Sequence, residues 1–186
     1  MEVVAEVGPG AVSLREIARR CGVSHAAPAH HFRDRAALLS ALAAEGFDGL
    51  AAALDAAQAP GGRERLAAQG RAYVGYALGA PGHFPVMFRP ELTDDHDVEL
   101  VRARTAAFAA LDDAVAGAQR EGWAAGASHD HAVTAAWSMV HGLATLWLDG
   151  ALPPHLVTGS ADAVALAVTD AFIGPQPAHE GAGIRR

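Results

Sequence analysis

The sequence predicts an all-α protein, built as a small N-terminal three-helix head followed by a C-terminal helical bundle. Three observations predict it. Alanine and leucine dominate almost every segment, runs of β-branched residues are scarce, and apolar residues recur at helical rather than alternating spacing. The 186 residues allow one large domain or two small ones with a substantial core.

A first helical piece ends near Gly8-Pro9-Gly10. The second spans about residues 13–21, where Leu14, Ile17, Ala18 and Cys21 follow an i, i+3, i+4, i+7 pattern. Ser13 and Glu16 form a capping-box pair at its start, and Gly22 breaks it. Ser24 can cap a third, short helix that runs to about His31. Asp34 caps a fourth, which extends through Leu54 with Leu38, Leu39, Leu42, Phe47 and Leu50 on its apolar side. "AQAPGGR" at 57–63 is a turn, and the fifth helix, with Leu66, Tyr73, Val74 and Tyr76, ends at residues 79–82. "HFPVMF" gives one or two helical turns, "RPELTDDHD" a loop, and a long helix then ends near Gly122. Residues 130–149 and 160–173 form the last two helices. The expected division is a helix-turn-helix domain at 1–45, a helical domain at 46–175 and a flexible tail at 176–186. So small a head buries little surface alone and is expected to lean on the body.

The single cysteine, Cys21, excludes an internal disulfide framework and a four-cysteine metal site. The opening "MEVVAEVGPG" has two acids and no basic residue, unlike a signal peptide. No run approaches the roughly 18 apolar residues of a spanning helix, so a cytoplasmic location is expected. The net charge of −7 alone argues against a nucleic-acid partner, but its distribution does not. Residues 15–35 hold Arg15, Arg19, Arg20, Arg33 and Arg35 against Glu16 and Asp34, whereas residues 36–186 are strongly acidic. A basic head on an acidic body is compatible with DNA, because docking responds to the local field.

A helix-turn-helix needs an apolar inner face, a tight corner and a capped second helix aimed at the duplex. Residues 13–31 supply Ile17 and Ala18 inside, Gly22 at the corner, Val23 as a buried residue after it, and Ser24 as cap. Outward from the second helix point some of His25, Ala26, Ala27, Pro28, His30 and His31. Alanine can meet a thymine methyl and histidine a phosphate or base edge. Arg15, Arg33 and Arg35 suit the phosphate backbone, although ordinary solvated arginines on a bundle fit the same pattern.

The stretch "AVSLREIARRCGVSHAAPAHHFRDRAALLSALAAEGFDGL" resembles the N-terminal domain of the TetR family of transcriptional regulators. Ala18, Gly22, Val23, Ser24, His31, Phe32, Arg35 and Leu38 fall on matching positions. "PGHFPVMFRPEL" and "AAWSMVHGLATLWLDG" resemble the branch whose C-terminal domain carries a Trp, His, Gly signature, here Trp137, His141 and Gly142. Two departures stand out. Ala29 replaces a tyrosine that in the family reaches the DNA backbone, which implies affinity weaker by about 1 kcal/mol. The first helix is also short and lacks the family's basic run, with Val3, Val4 and Val7 left to pack on Ile17 and Phe32.

The resemblance implies a homodimer on palindromic operator DNA, released by a small, largely apolar effector. The dimer interface is expected at Val133, Trp137, Val140, Ala144, Trp147 and Leu148, with Val164, Val168 and Phe172. The effector pocket is expected among Tyr73, Tyr76, Phe84, Met87, Phe88, Phe108, Leu111, Trp123, Met139 and His141. No cofactor is expected. No HExxH, phosphate loop or nucleophile elbow occurs, so no catalytic residue is assigned and no enzyme is expected. Two other readings fit the chain: a helical dimer with impaired DNA binding, and a metal-responsive regulator using His83, His96, His129 or His131 with nearby acids.

Overall fold

The structure, a computed structural model, describes residues 2–24 and 27–174; His25, Ala26 and the expected tail at 176–186 lie outside them. The described residues form eight α-helices and no strand. These are α1 (Glu2–Val7), α2 (Leu14–Arg20), α3 (Arg35–Ala56), α4 (Gly62–Gly79), α5 (Phe84–Met87), α6 (Val98–Arg120), α7 (His129–Leu148) and α8 (Ala161–Ile173). Short 3₁₀ turns cover Pro9–Ala11, Ala27–His30, Pro90–Leu92 and Pro154–Leu156.

The sequence places the ends of these helices. Side chains of Ser13, Asp34, Asp97, Ser128 and Ser160 each accept a first-turn backbone N–H and so cap α2, α3, α6, α7 and α8. Glycine stops α2: Gly22 takes φ of 67°, the Val23 N–H donates to the Ala18 carbonyl, and the Gly22 N–H donates to that of Arg19. The same pair of bonds ends α6 at Gly122 and α7 at Gly150. The corner turns Val23 outward, 48% exposed, where a buried residue was expected.

The third element of the head differs from the expected α-helix in its described part. Instead of an α-helix reaching His31, the described part is the 3₁₀ turn Ala27–His30, in which the Pro28 carbonyl accepts from both His31 and Phe32. Pro28 has no N–H to give to a helical ladder, which favours this single tight turn.

α3 lies along α6, and α4 occupies the centre, touching α3, α6, α7 and α8. α5 packs on α3. α7 and α8 each contact α4 more than they contact one another. By length and composition α3 could cross a membrane, but half of its apolar window is buried inside this fold. The head has no separate core. Val4 and Val12 belong to one cluster with Leu38, Leu39, Phe47, Leu100 and Val140, and Val3, Ile17 and Phe32 pack against it. The expected boundary at residue 45 therefore falls inside a continuous helix.

A second cluster, around Leu66, Val115, Trp123 and Ile173, closes the far end of the body. There the N-terminus of α4 rests on the last turns of α6. Glu121 accepts the N–H groups of Gly62 at 2.5 Å and Arg63 at 3.0 Å, doing for α4 what a capping side chain does elsewhere. Those two backbone bonds hold the Glu121 carboxyl below its ordinary range, with Arg63 and Arg120 nearby. A Cβ on Gly62 would sit 2.3 Å from the Gly117 carbonyl carbon. Gly62→Ala is expected to force the two helices apart and cost about 1–3 kcal/mol of stability, read as a lower urea midpoint. Gly75→Ala, whose Cβ would meet nothing within 4 Å, should leave the midpoint unchanged or raise it.

Candidate functional site

Two regions hold the candidate side chains: the helix-turn-helix head and a pair of cavities in the body. On the head, Arg15, Ser24, His30 and His31 are exposed, and Ala27 and Pro28 are half-buried. His25 and Ala26 fall outside the described residues.

Arg33 and Arg35, expected to suit the phosphate backbone, each have partners within the protein. Arg35 Nη2 donates to the carbonyls of Pro9 at 2.6 Å and Gly10 at 2.8 Å, holding the α1–α2 connection onto the start of α3. Arg33 pairs with Asp34 at 3.2 Å and reaches Asp94 of the body at 2.7 Å. The backbone N–H of His96 and the Arg33 guanidinium hold the Asp94 carboxyl below the usual carboxylate range. Neither partner was legible locally, since they lie 26 and 61 residues away. Arg19 and Arg20 both bind Glu16, whose carboxyl falls to about 2, and Arg20 also pairs with Glu6. Of these five head arginines, Arg15 alone has no side-chain hydrogen bond or ion pair among the described residues.

The inner cavity lies between α3, α4, α6, α7 and the end of α8. Its lining has no charged side chain: Leu50, Leu54, Leu66, Leu111, Met139 and several aromatic rings, with Gln69 and Tyr73 as its polar members. It is narrow, with about 40 Å³ open to the centre of a water molecule. The outer cavity is larger, about 370 Å³, and is lined by Met87, Pro90, Thr93, Leu100, Arg104 and His141. Phe47, Phe88, Phe108 and Trp137 wall both. These rings meet edge-on, with Phe108 and Trp137 centroids 4.9 Å apart and Phe47 and Phe88 5.4 Å apart, so the partition is an aromatic one. Tyr73 Oη lies 2.9 Å from His141 Nδ1, linking a polar residue of the inner cavity to one of the outer. Burial pushes the Tyr73 phenol up and the His141 imidazole down, so both are neutral near pH 7.

Of the ten expected pocket residues, Tyr73, Met87, Phe88, Phe108, Leu111, Met139 and His141 line one or both cavities. Three do not. Tyr76 donates to the Gly46 carbonyl at 2.7 Å, Phe84 is buried behind Tyr73 and Phe88, and Trp123 belongs to the second cluster, its indole on the Phe172 carbonyl. Aromatic content picks out large core residues but not which side of a helix they occupy. Gln69 was missed because an isolated glutamine in an Arg- and Ala-rich helix reads as solvent-facing.

The expected dimer stripe faces largely inward. Val140, Ala144 and Val164 are buried within the protomer, Val133, Trp147 and Val168 pack partly against it, and Trp137 lines the cavities. Leu148 and Phe172 are exposed, and beside them in sequence so are Leu146, Leu156, Val157 and Leu166. Both helices are apolar on more than one side, so periodicity alone could not choose the outward stripe. His129 bridges Asp112 at 2.8 Å and Gln119 at 2.9 Å, joining α7 to α6. Among the described residues no group of three or more His, Cys, Asp or Glu is placed to hold a metal.

Residues 66–172 match the family described as tetracyclin repressor-like, C-terminal domain, and residues 1–42 match that of bacterial regulatory proteins, tetR family. A solved structure of a protein of unknown function from Rhodococcus sp. RHA1 is 35% identical, with TM-score 0.73 over 92% of this chain and 88% of that one. The TetR family transcriptional regulator PfmR from Thermus thermophilus is 21% identical, with TM-score 0.74 over 92% and 93%. A bacterial regulatory protein in the tetR family from Rhodococcus RHA1 is also 21% identical, with TM-score 0.71 over 92% and 90%. No curated protein matches the chain in sequence.

The half-buried His141 gives stability a pH dependence whose sign follows from its lowered pKa. Its lowered pKa means the unfolded chain takes up a proton where the folded chain does not. The contribution is complete above the ordinary value of 6.5 and is lost as pH falls from there towards the folded-state pKa. His141→Gln, which keeps a partner for Tyr73, is expected to show a shallower loss of urea midpoint on acidification than the natural chain.

Proposed function

As a member of the TetR family of bacterial regulatory proteins, this chain is a DNA-binding transcriptional regulator, and we propose that it represses from a palindromic operator and is released by a small, largely apolar effector. One observation carries the reading: α3 belongs to the head and to the cavity at once. Arg35, at its first turn, holds the head's backbone, and Phe47, Leu50 and Leu54, in its second half, line the inner cavity. A helix of 22 residues is a stiff rod about 33 Å long, so a ligand that shifts its far end re-aims the head. The Arg33–Asp94 pair is a second tie, since Asp94 follows Thr93 of the outer cavity wall.

In this reading Arg15, Ser24, His25, Ala26, Ala27, Pro28, His30 and His31 face the duplex. Arg33 and Arg35 act through the head's posture, and reach phosphate only by exchanging their present partners. Two heads are held at operator spacing by a homodimer whose buried face includes the exposed Leu146, Leu166 and Phe172. No catalytic step belongs to it.

The test is binding to the DNA upstream of the gene at about 50 and 200 mM salt, where a binder of this kind loses orders of magnitude in affinity. Arg15→Ala with His30→Ala is expected to weaken binding and flatten the salt dependence; a folded dimer with no specific binding would favour the impaired-head reading instead. Asp94→Asn should leave operator affinity close to natural but reduce the effector's releasing power by on the order of fivefold, read in the same assay with effector added. Leu166→Arg places a charge twice in a twofold interface and is expected to weaken dimerisation at least about tenfold in sedimentation, with the helical content unchanged.

A further inference from the structure

We propose that the inner cavity selects a neutral, mainly apolar molecule bearing one hydrogen-bond donor, of phenol, alcohol or indole type, and that Gln69 Oε1 recognises that donor. The inference rests on the reading of this cavity as the effector site and specifies its chemistry.

Gln69 is 2% exposed, in the middle of α4. Its Nε2 donates to the Leu54 carbonyl at 3.2 Å, and its Oε1 is buried with no partner among the described residues. That arrangement cannot be relieved by turning the amide over. The reversed amide would set oxygen against the Leu54 carbonyl oxygen and lose the one bond the side chain makes. The free atom is therefore an acceptor, and it calls for a donor.

The other lining residues narrow the choice. Tyr73, which bears the only other side-chain oxygen of the lining, is already placed on His141. No charged side chain is present, so an ion would lose its hydration without meeting a counter-charge. A purely hydrocarbon ligand would leave Oε1 as it stands. A neutral molecule with a single O–H or N–H satisfies the acceptor and presents carbon everywhere else. The cavity is narrow, so such a molecule enters by moving side chains, with Met139 the flexible member of the wall.

The same amide also ties α4 to the last turns of α3, through Leu54. Recognition and the hold on the rod that carries the head thus fall to one side chain. A donor on Oε1 polarises the amide and strengthens its Nε2–H bond to Leu54.

The full-length protein can be tested with p-cresol, its isostere p-xylene and 4-methylbenzoate, by calorimetry or by quenching of tryptophan fluorescence. The expected result is a p-cresol to p-xylene affinity ratio about tenfold higher in the natural chain than in Gln69→Met, and no measurable binding of the benzoate. Comparing the ratio between chains cancels the different hydration of the two compounds. Because Gln69→Met also removes the Leu54 bond, a second measurement uses the natural chain alone: 4-methylanisole, which lacks the donor, should bind more weakly than p-cresol despite being more apolar. Equal ratios in the two chains, anisole binding as tight as cresol, or no binding of any compound overturns the inference. Cresol binding that follows the expected pattern but leaves operator affinity unchanged overturns the effector reading and leaves the ligand chemistry standing.

Discussion

The close packing of α3 along α6 is the constraint on which the other features depend. Along the contact, α3 offers Leu39, Ala43, Phe47 and Leu50, and α6 answers with Leu100, Ala103, Ala107 and Ala110. The alanines of α6 let the helices approach closely, so the large side chains of α3 lie between rather than against their counterparts. At the solvent edge Arg102 binds Asp48 through two nitrogens, at 3.0 and 2.7 Å, and pairs with Glu99 of its own helix. That pairing holds the Asp48 carboxyl below its ordinary range. The geometry of the pair is good, but both residues are about half exposed, so the apolar seam and not the ion pair carries the stability. Without this seam the head would be an appendage and the cavities would lose one wall.

The head differs in kind from the body. Its apolar share of the core is small, with Val4, Val12 and Ala18 as its fully buried members among the described residues. It is held together by polar ties instead: Glu16 between two arginines, Arg35 on two carbonyls, and Arg33 across to the body. Such ties fix direction well and add little energy at an exposed surface. A head of this type keeps a defined posture yet can exchange partners without unfolding a core, which suits an element that must be re-aimed.

Local chemistry was the legible part of the sequence. Helix starts marked by Ser13 and Asp34, the break at Gly22 and the turn at 57–63 are written in residues adjacent to the event, and each fell within a residue or two of its expected place. The family resemblance was legible for the same reason, because the helix-turn-helix concentrates its pattern in one stretch. What could not be read depends on side chains brought together from afar. Nothing near Arg33 announces Asp94, nothing near Gln69 announces the Leu54 carbonyl, and the cap on α4 comes from Glu121 at the end of another helix. The outward stripe of α7 and α8 was hard to read for a different reason. Both candidate stripes are apolar, and only the position of α4 decides which one is used inside the protomer.

The Arg33–Asp94 contact has a bearing on how salt titrations of this protein are interpreted. Arg33 is 69% exposed in that pair, so mobile ions screen it with the same Debye length that governs attraction to a phosphate. Raising ionic strength therefore acts on the protein's own posture as well as on its grip. The slope of log affinity against log salt counts only what changes on binding: a pair kept in both states drops out of it, and an Arg33 that left Asp94 for a phosphate would enter it.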